Sequence, residues 1–238
     1  MDKMLALIIK ELPEYEHLHP LTTHARAMEN MRLGKQVCHP GLFITEERKK
    51  FAYFSTVSLV SPPINLITRA KDITRLGIKE PVNLEQIFEQ PELAIGLVHS
   101  RSYGNKIDDI IARYPRSRFV RLPIEEGDKM FDLVSKNRLS FTFSYPFELA
   151  YYNQTMRLNN DLVGLQIAGE AKFVTGNVAC SKTPWGKAFI EKLDRILFKI
   201  RDSEEYIAAM TSWLDKGEKR SDYKAFLKKA YADSIKSN

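Results

Sequence analysis

The chain has 238 residues, 44% of them hydrophobic and 28% charged, which supplies apolar material for one large core or two smaller ones and excludes a mainly disordered chain. Its 36 basic residues stand against 30 acidic ones for a net charge of +6, but the two signs are interspersed and no recognition motif accompanies them, so nothing points to nucleic acid. Two cysteines without a Cys/His spacing give no metal site, and no apolar run approaches the roughly 18 residues of a membrane span.

Residues 3 to 12 place Met4, Leu5, Ile8, Ile9 and Leu12 at helical spacing before Pro13, so the chain opens with an amphipathic helix. The opening MDKMLALIIKEL carries acids and lysines and lacks a small-residue cleavage site, and as it stands it is not a signal peptide. HLHPL is a short extended candidate. Thr22 or Thr23 can cap a helix through ARAMENMRL that Gly34 ends. QVCHPGL reads as a strand entering a glycine turn, after which Thr45 can cap a short helix with Glu46 and Glu47 in its first turn, where the helix dipole favours acids. FSTVSLVSPPINLITRA is mostly extended, and Pro62 and Pro63 suit a connector between two bodies.

Alternating signals follow: helix VNLEQIFEQ, strand LAIGLV, a turn at Ser102 to Gly104, helix NKIDDIIARYP, strand SRFVRL, helix GDKMFDLVSKN, strand LSFTFS and helix PFELAYYNQ. Such an α/β repeat implies a parallel sheet. AKFVTGNVACS returns as a strand pair or one bent strand, and helices WGKAFIEKLDRILFKIRDS and EEYIAAMTSWLDK precede an amphipathic, charged tail. No internal repeat is present. There is no Gly-x-Ser-x-Gly elbow, P-loop or dinucleotide glycine pattern, so no enzyme and no cofactor is indicated.

The segment GLFITEERKKFAYFS (41 to 55) closely resembles the G-x-T-x-T-x-E-R-x-x-x-x-x-F-S segment of type II periplasmic solute-binding proteins, in particular the polar amino-acid-binding branch, extracellular family 3. Gly41, Thr45, Glu47, Arg48, Phe54 and Ser55 fall in matching places. The turn RLGK and the blocks LAIGLVHSRSYG, NRLSFTFSYPFELAYY and TGNVACSKTPWGKAFIEKLDRIL follow the family's order over nearly the whole chain. The resemblance implies a two-lobed α/β fold, each lobe a mostly parallel sheet flanked by helices. Lobe 1 would comprise 1–60 and 176–238, and lobe 2 residues 61–175, with hinge strands near 58–64 and 173–178. Family members begin with a strand and loop before the helix that opens this chain. The resemblance therefore implies that a signal peptide and first strand lie upstream of Met1, with a periplasmic location, or that this is a shortened, cytoplasmic product whose open sheet edge could favour dimer exchange.

In such proteins the arginine in Arg48's place holds a ligand carboxylate in a cleft between lobes, a task suited to a planar donor of fixed charge. The resemblance places Gly41, Phe43 and Thr45 beside it, and His99, Ser100, Arg101 and Ser102 at the start of a lobe 2 helix. Two departures bear on the ligand. Phe43 stands where a hydroxyl residue is usual, and Ser144 and Tyr145 stand where an aspartate for an amino group is usual. An acid, an aromatic compound or a short peptide-like molecule suits Phe43, Tyr145 and Arg48 better than an α-amino acid does. The implied partners are a small-molecule ligand and an ABC permease or a sensor; the alternative is a non-transport scaffold with a degenerate cleft. Plainer roles stand beside these: Arg48 as a solvated helix residue, Phe43 and Tyr145 as core aromatics, His99 and Arg101 as loop polar groups. His17, His19, His24 and His39 lack carboxylates at ligand spacing and suit surface or capping roles. Trp185 suits a packing anchor at a helix start, and Trp213 a helix–core contact. Cys38 and Cys180 lie on segments that neighbour one another in the family's first lobe, and either two buried thiols or a disulfide fits.

Overall fold

The computed structural model describes residues 2–20, 22–99, 101–122, 127–155, 161–211 and 220–236. Trp213 lies outside them. Contacts divide the chain into unit 1, residues Met1–Ser61 with Phe173–Asn238, and unit 2, residues Pro62–Lys172. In chain order the first elements are α1 (Asp2–Lys10), α2 (His24–Arg32), β1 (Cys38–Leu42), α3 (Glu46–Lys49) and β2 (Ala52–Ser61). The middle of the chain forms β3 (Asn65–Arg69), α4 (Ala70–Leu76), α5 (Leu84–Phe88), β4 (Ile95–Val98) and α6 (Asn105–Ala112). It continues as β5 (Phe119–Leu122), α7 (Gly127–Ser135), β6 (Thr142–Ser144), α8 (Pro146–Thr155) and β7 (Leu162–Leu165). The return supplies β8 (Val174–Ser181), α9 (Pro184–Ile200), α10 (Glu204–Thr211) and α11 (Arg220–Lys236).

Unit 1 is built on the sheet β1-β8-β2, in which β8 runs antiparallel to both neighbours. Its larger core gathers Met4, Ile8 and Leu12 of the opening helix with Ile190, Leu193 and Leu197 of α9 and Tyr206 and Met210 of α10. The spacing predicted for the first helix is thus the spacing of its buried face. Two tyrosine hydroxyls bind α10 and α11 to the sheet: Tyr206 donates to the carbonyl of Ser58 at 2.5 Å and Tyr223 to that of Val60 at 3.1 Å. Register shifts in β2 between Phe54 and Val57 would strand backbone groups, and polar side chains take them up. The N–H of Val178 donates to Ser55 Oγ at 3.0 Å, and the N–H of Thr56 to Asp194 of α9 at 2.7 Å. Thr183 caps α9, its hydroxyl accepting from Gly186 N–H. A Cβ on Gly186 would stand 1.9 Å from the carbonyl of Ser181, so only glycine lets the helix start this close to β8. Trp185 stacks on Phe189 beside that start, as its predicted anchoring role requires.

Unit 2 holds the sheets β6-β3-β7, antiparallel throughout, and β4-β5, parallel. The parallel pairing expected from the α/β repeat is present at β4-β5 and at the isolated bridges from Ile95 to Phe141 and from Val82 to Ile167. Elsewhere the expectation of mostly parallel strands is corrected: β3 receives β6 and β7 in the opposite sense, and β8 returns against β1 and β2. The repeat describes consecutive βα units, whereas these pairs join strands distant in sequence. The core packs Leu66, Phe88, Ile95, Leu97, Ile107 and Phe141, with Met130, Phe131 and Tyr152 forming a second cluster. Arg118, just before β5, closes the C-terminal end of α5 by donating to the carbonyls of Phe88 at 2.6 Å, Gln90 at 2.8 Å and Leu93 at 2.9 Å. Helix α4 and strand β7 are not among the predicted elements, and residues 17–20 of the extended candidate HLHPL join no strand. Leu18 in that stretch is 76% exposed, and without a neighbouring strand among the described residues an extended segment has nothing to bond to.

Candidate functional site

The predicted site residues fall into two groups, one in each unit, and Ser100 lies outside the described residues. In unit 1 the short α3 begins as its sequence implies. Thr45 is extended and its hydroxyl accepts from Arg48 N–H at 3.2 Å, fixing the turn that carries the arginine. The neighbouring charges are engaged on the surface: Glu46 with Lys49 at 2.7 Å, and Glu47 with Arg32 of α2 at 2.9 Å. Arg48 itself turns inward and is only 9% exposed. Its Nη1 donates to the carbonyl of Phe43 at 3.0 Å. Gly41, Phe43, Thr45 and Arg48 are therefore brought into one loop-and-helix turn at the end of β1.

His39, which the sequence did not single out for this site, belongs to the same turn. Its Nδ1 accepts from Gly41 N–H at 3.2 Å, and its ring meets that of His24 edge-on at 5.3 Å. Burial, then His24, then Arg48 push its pKa down to about 4, so that the ring is neutral at neutral pH. A short sequence separation from Gly41 was the available signal. The strand behind this turn is fixed covalently: Cys38 and Cys180 face one another across β1 and β8 and form a disulfide, which decides between the alternatives the sequence left open.

In unit 2 the loop after β4 is pinned from within. The hydroxyl of Tyr103 accepts from Val98 N–H at 2.7 Å; Ser102 donates to Asp108 of α6 at 2.5 Å, and Tyr103 N–H donates to the same carboxylate at 2.9 Å. Ser102 thus spends its proton on holding the loop. His99 is exposed. Arg101 binds Glu148 in the first turn of α8, its Nη2 standing 3.1 Å and 2.8 Å from the two carboxylate oxygens. Glu148 also accepts from Ser144 Oγ and, at 3.1 Å, from Tyr145 N–H, reaching back as the glutamate of a capping box does. The guanidinium lies 5.9 Å from the ring centre of Tyr103 and 5.7 Å from that of Tyr145, and Tyr145 stacks on Phe147 at 5.1 Å. Glu148 was missed, although Pro146 followed two residues later by an acid is a legible helix start. The residues place a carboxylate beside Ser144 and Tyr145, where the sequence shows none in line, and they place a cation on it.

Among the described residues, no group of three or more His, Cys, Asp or Glu could hold a metal ion, and no helix is long and apolar enough to cross a membrane.

No family model and no curated relative matches the chain. Solved structures do match over most of their length. A histidine kinase sensor domain with similarity to periplasmic binding proteins superposes with a TM-score of 0.69 at 15% identity, covering 89% of this chain and 85% of that one. The substrate-binding protein of an amino acid ABC transporter gives 0.66 at 14% identity with the same coverage. A Streptococcus pneumoniae amino acid ABC transporter substrate-binding protein bound to L-arginine gives 0.63 at 15% identity, covering 96% of this chain and 81% of that one. The likeness is one of fold, and the fold is that of periplasmic binding proteins, as the sequence resemblance implied.

Proposed function

We propose that the chain is a solute-binding receptor that captures a small, carboxylate-bearing solute and delivers it to an ABC importer or reports it to a sensor. The observation that carries this is Arg48: a nearly buried guanidinium at the end of a strand, its turn capped by Thr45 and one nitrogen aligned on the carbonyl of Phe43. A planar cation held in this way is prepared to receive a carboxylate without first losing conformational freedom. The fold neighbours named as amino acid ABC transporter binding proteins and as a sensor domain support both destinations. The Cys38–Cys180 disulfide supports an oxidising compartment outside the cytoplasm.

The test is thermal unfolding of the purified chain against a panel of amino acids, dicarboxylates, aromatic acids and short peptides. A ligand at 100 times its dissociation constant adds about 2.7 kcal/mol and raises the midpoint visibly. Arg48→Ala is expected to abolish the shift. Arg48→Lys keeps the charge but loses the planar fork, and is expected to weaken binding by about tenfold or more. A second reading, a scaffold whose site is degenerate, is favoured by the internal pairing of Arg101 with Glu148. It predicts that no solute moves the midpoint and that Arg48→Ala changes stability alone.

A further inference from the structure

The group around Arg101 bears on which acid is taken, a question that rests on the receptor proposal. Glu148 is the carboxylate that stands beside Ser144 and Tyr145, and donors already crowd one of its two oxygens. An ionised carboxylate offers about four lone-pair positions. Arg101 Nη2, Ser144 Oγ and Tyr145 N–H all reach Oε2, while Oε1 meets the same Arg101 nitrogen at 3.1 Å. Its charge is matched as well, by the guanidinium at 2.8 Å. An ammonium group arriving here would have to compete with a tethered arginine already paired to the carboxylate.

The arginine is in the opposite condition. A guanidinium has five N–H donors, and of the three nitrogens of Arg101 only Nη2 meets a hydrogen-bond partner, Glu148; Nε and Nη1 meet none among the described residues. The side chain keeps 22% of its surface exposed. The contact with Glu148 holds the head group still, and Tyr103 and Tyr145 flank it with ring faces, Tyr145 extended by its stack on Phe147. The other polar groups of the loop are committed: Ser102 to Asp108, and the hydroxyl of Tyr103 to Val98 N–H.

We infer that unit 2 recognises an anionic or aromatic portion of the solute through Arg101, with Glu148 as its positioning residue, and that the solute is a small organic acid without an α-ammonium group. Charge acts in this direction: the carboxylate is paired with the arginine, and the arginine retains donors that suit a carboxylate or carbonyl oxygen beside an apolar wall.

The experiment sets acids against their α-amino counterparts on the full chain: 3-phenylpropanoate against L-phenylalanine, and glutarate against L-glutamate, each titrated calorimetrically. The deaminated member of at least one pair is expected to bind about tenfold more tightly or better. Arg101→Gln is expected to weaken that member about tenfold while freeing Glu148, so the preference over the amino acid narrows or inverts; Arg101→Lys is expected to keep part of it. A variant that merely loosened the loop would weaken both members by the same factor, and that result overturns the inference. An amino acid that binds as well as its deaminated partner also overturns it while leaving the receptor proposal standing. If none of the four probes and no member of the wider panel binds, the receptor proposal itself fails and the inference with it.

Discussion

At the scale of single residues, the turn at the end of β1 joins a permanent cation to a neutral imidazole. His39 receives Gly41 N–H on Nδ1, which requires that nitrogen to be unprotonated, and Arg48 and His24 both oppose a charge on the ring. With its pKa lowered from 6.5 to about 4, the folded protein binds fewer protons than the unfolded chain between those values. The neutral ring's contribution is whole above pH 6.5 and is lost as pH falls toward 4. Stability is therefore expected to decline across that window by at most about 1.4 kcal/mol per pH unit from this group. His39→Gln should flatten that part of the profile in urea unfolding measured from about pH 7 to 4. An unchanged slope in the variant would assign the acid sensitivity elsewhere.

At the scale of elements, β1 is the edge of its sheet and carries Pro40 and Gly41, neither of which strengthens a strand. The bridge from Cys38 to Cys180 holds it to β8, where Cys180 has no exposure at all. Closing a loop of 142 residues removes much freedom from the unfolded chain, and losing a native disulfide typically costs about 2–5 kcal/mol. Cys38→Ser with Cys180→Ala, or dithiothreitol on the parent chain, is expected to lower the denaturation midpoint accordingly. Because the turn with Arg48 hangs from β1, the proposed affinity for a solute carboxylate should fall too. Reduction that leaves both quantities unchanged would mean that backbone pairing alone holds the strand.

At the scale of the molecule, the chain crosses twice between two units with separate cores, after Ser61 and after Lys172, so a single unfolding transition is not guaranteed. Unit 2 depends on a buried pair. Arg69 of β3 and Asp72 of α4 bind one another with side chains 3% exposed, and Arg75 donates to the same carboxylate at 2.8 Å. Arg69 also donates to the carbonyls of Val134 and Leu139, tying α7 to the sheet. Removing one member of such a pair leaves a buried charge, at a cost of about 3–5 kcal/mol. Asp72→Asn is expected to destabilise unit 2 by that amount, with amide exchange in β3 and α7 accelerating before that in β8. Equal acceleration in both units would show that they unfold together.

Local pattern determined a good deal by itself. The buried stripe of the opening helix, a threonine cap at position 22 or 23, the Thr45 cap and the proline break after β2 were legible, because caps and periodicity act within a few residues. Strand sense was not: β8 meets β1 and β2 across more than a hundred residues, and no local signal carries that pairing. The same distance hid the choice between thiols and a disulfide. It hid the neutral state of His39, which packing against His24 and Arg48 imposes. The sequence supplied Arg101 and Glu148 as unrelated charges 47 positions apart, and only the tertiary structure decided that they satisfy one another, because a charge's partner is chosen by proximity in space.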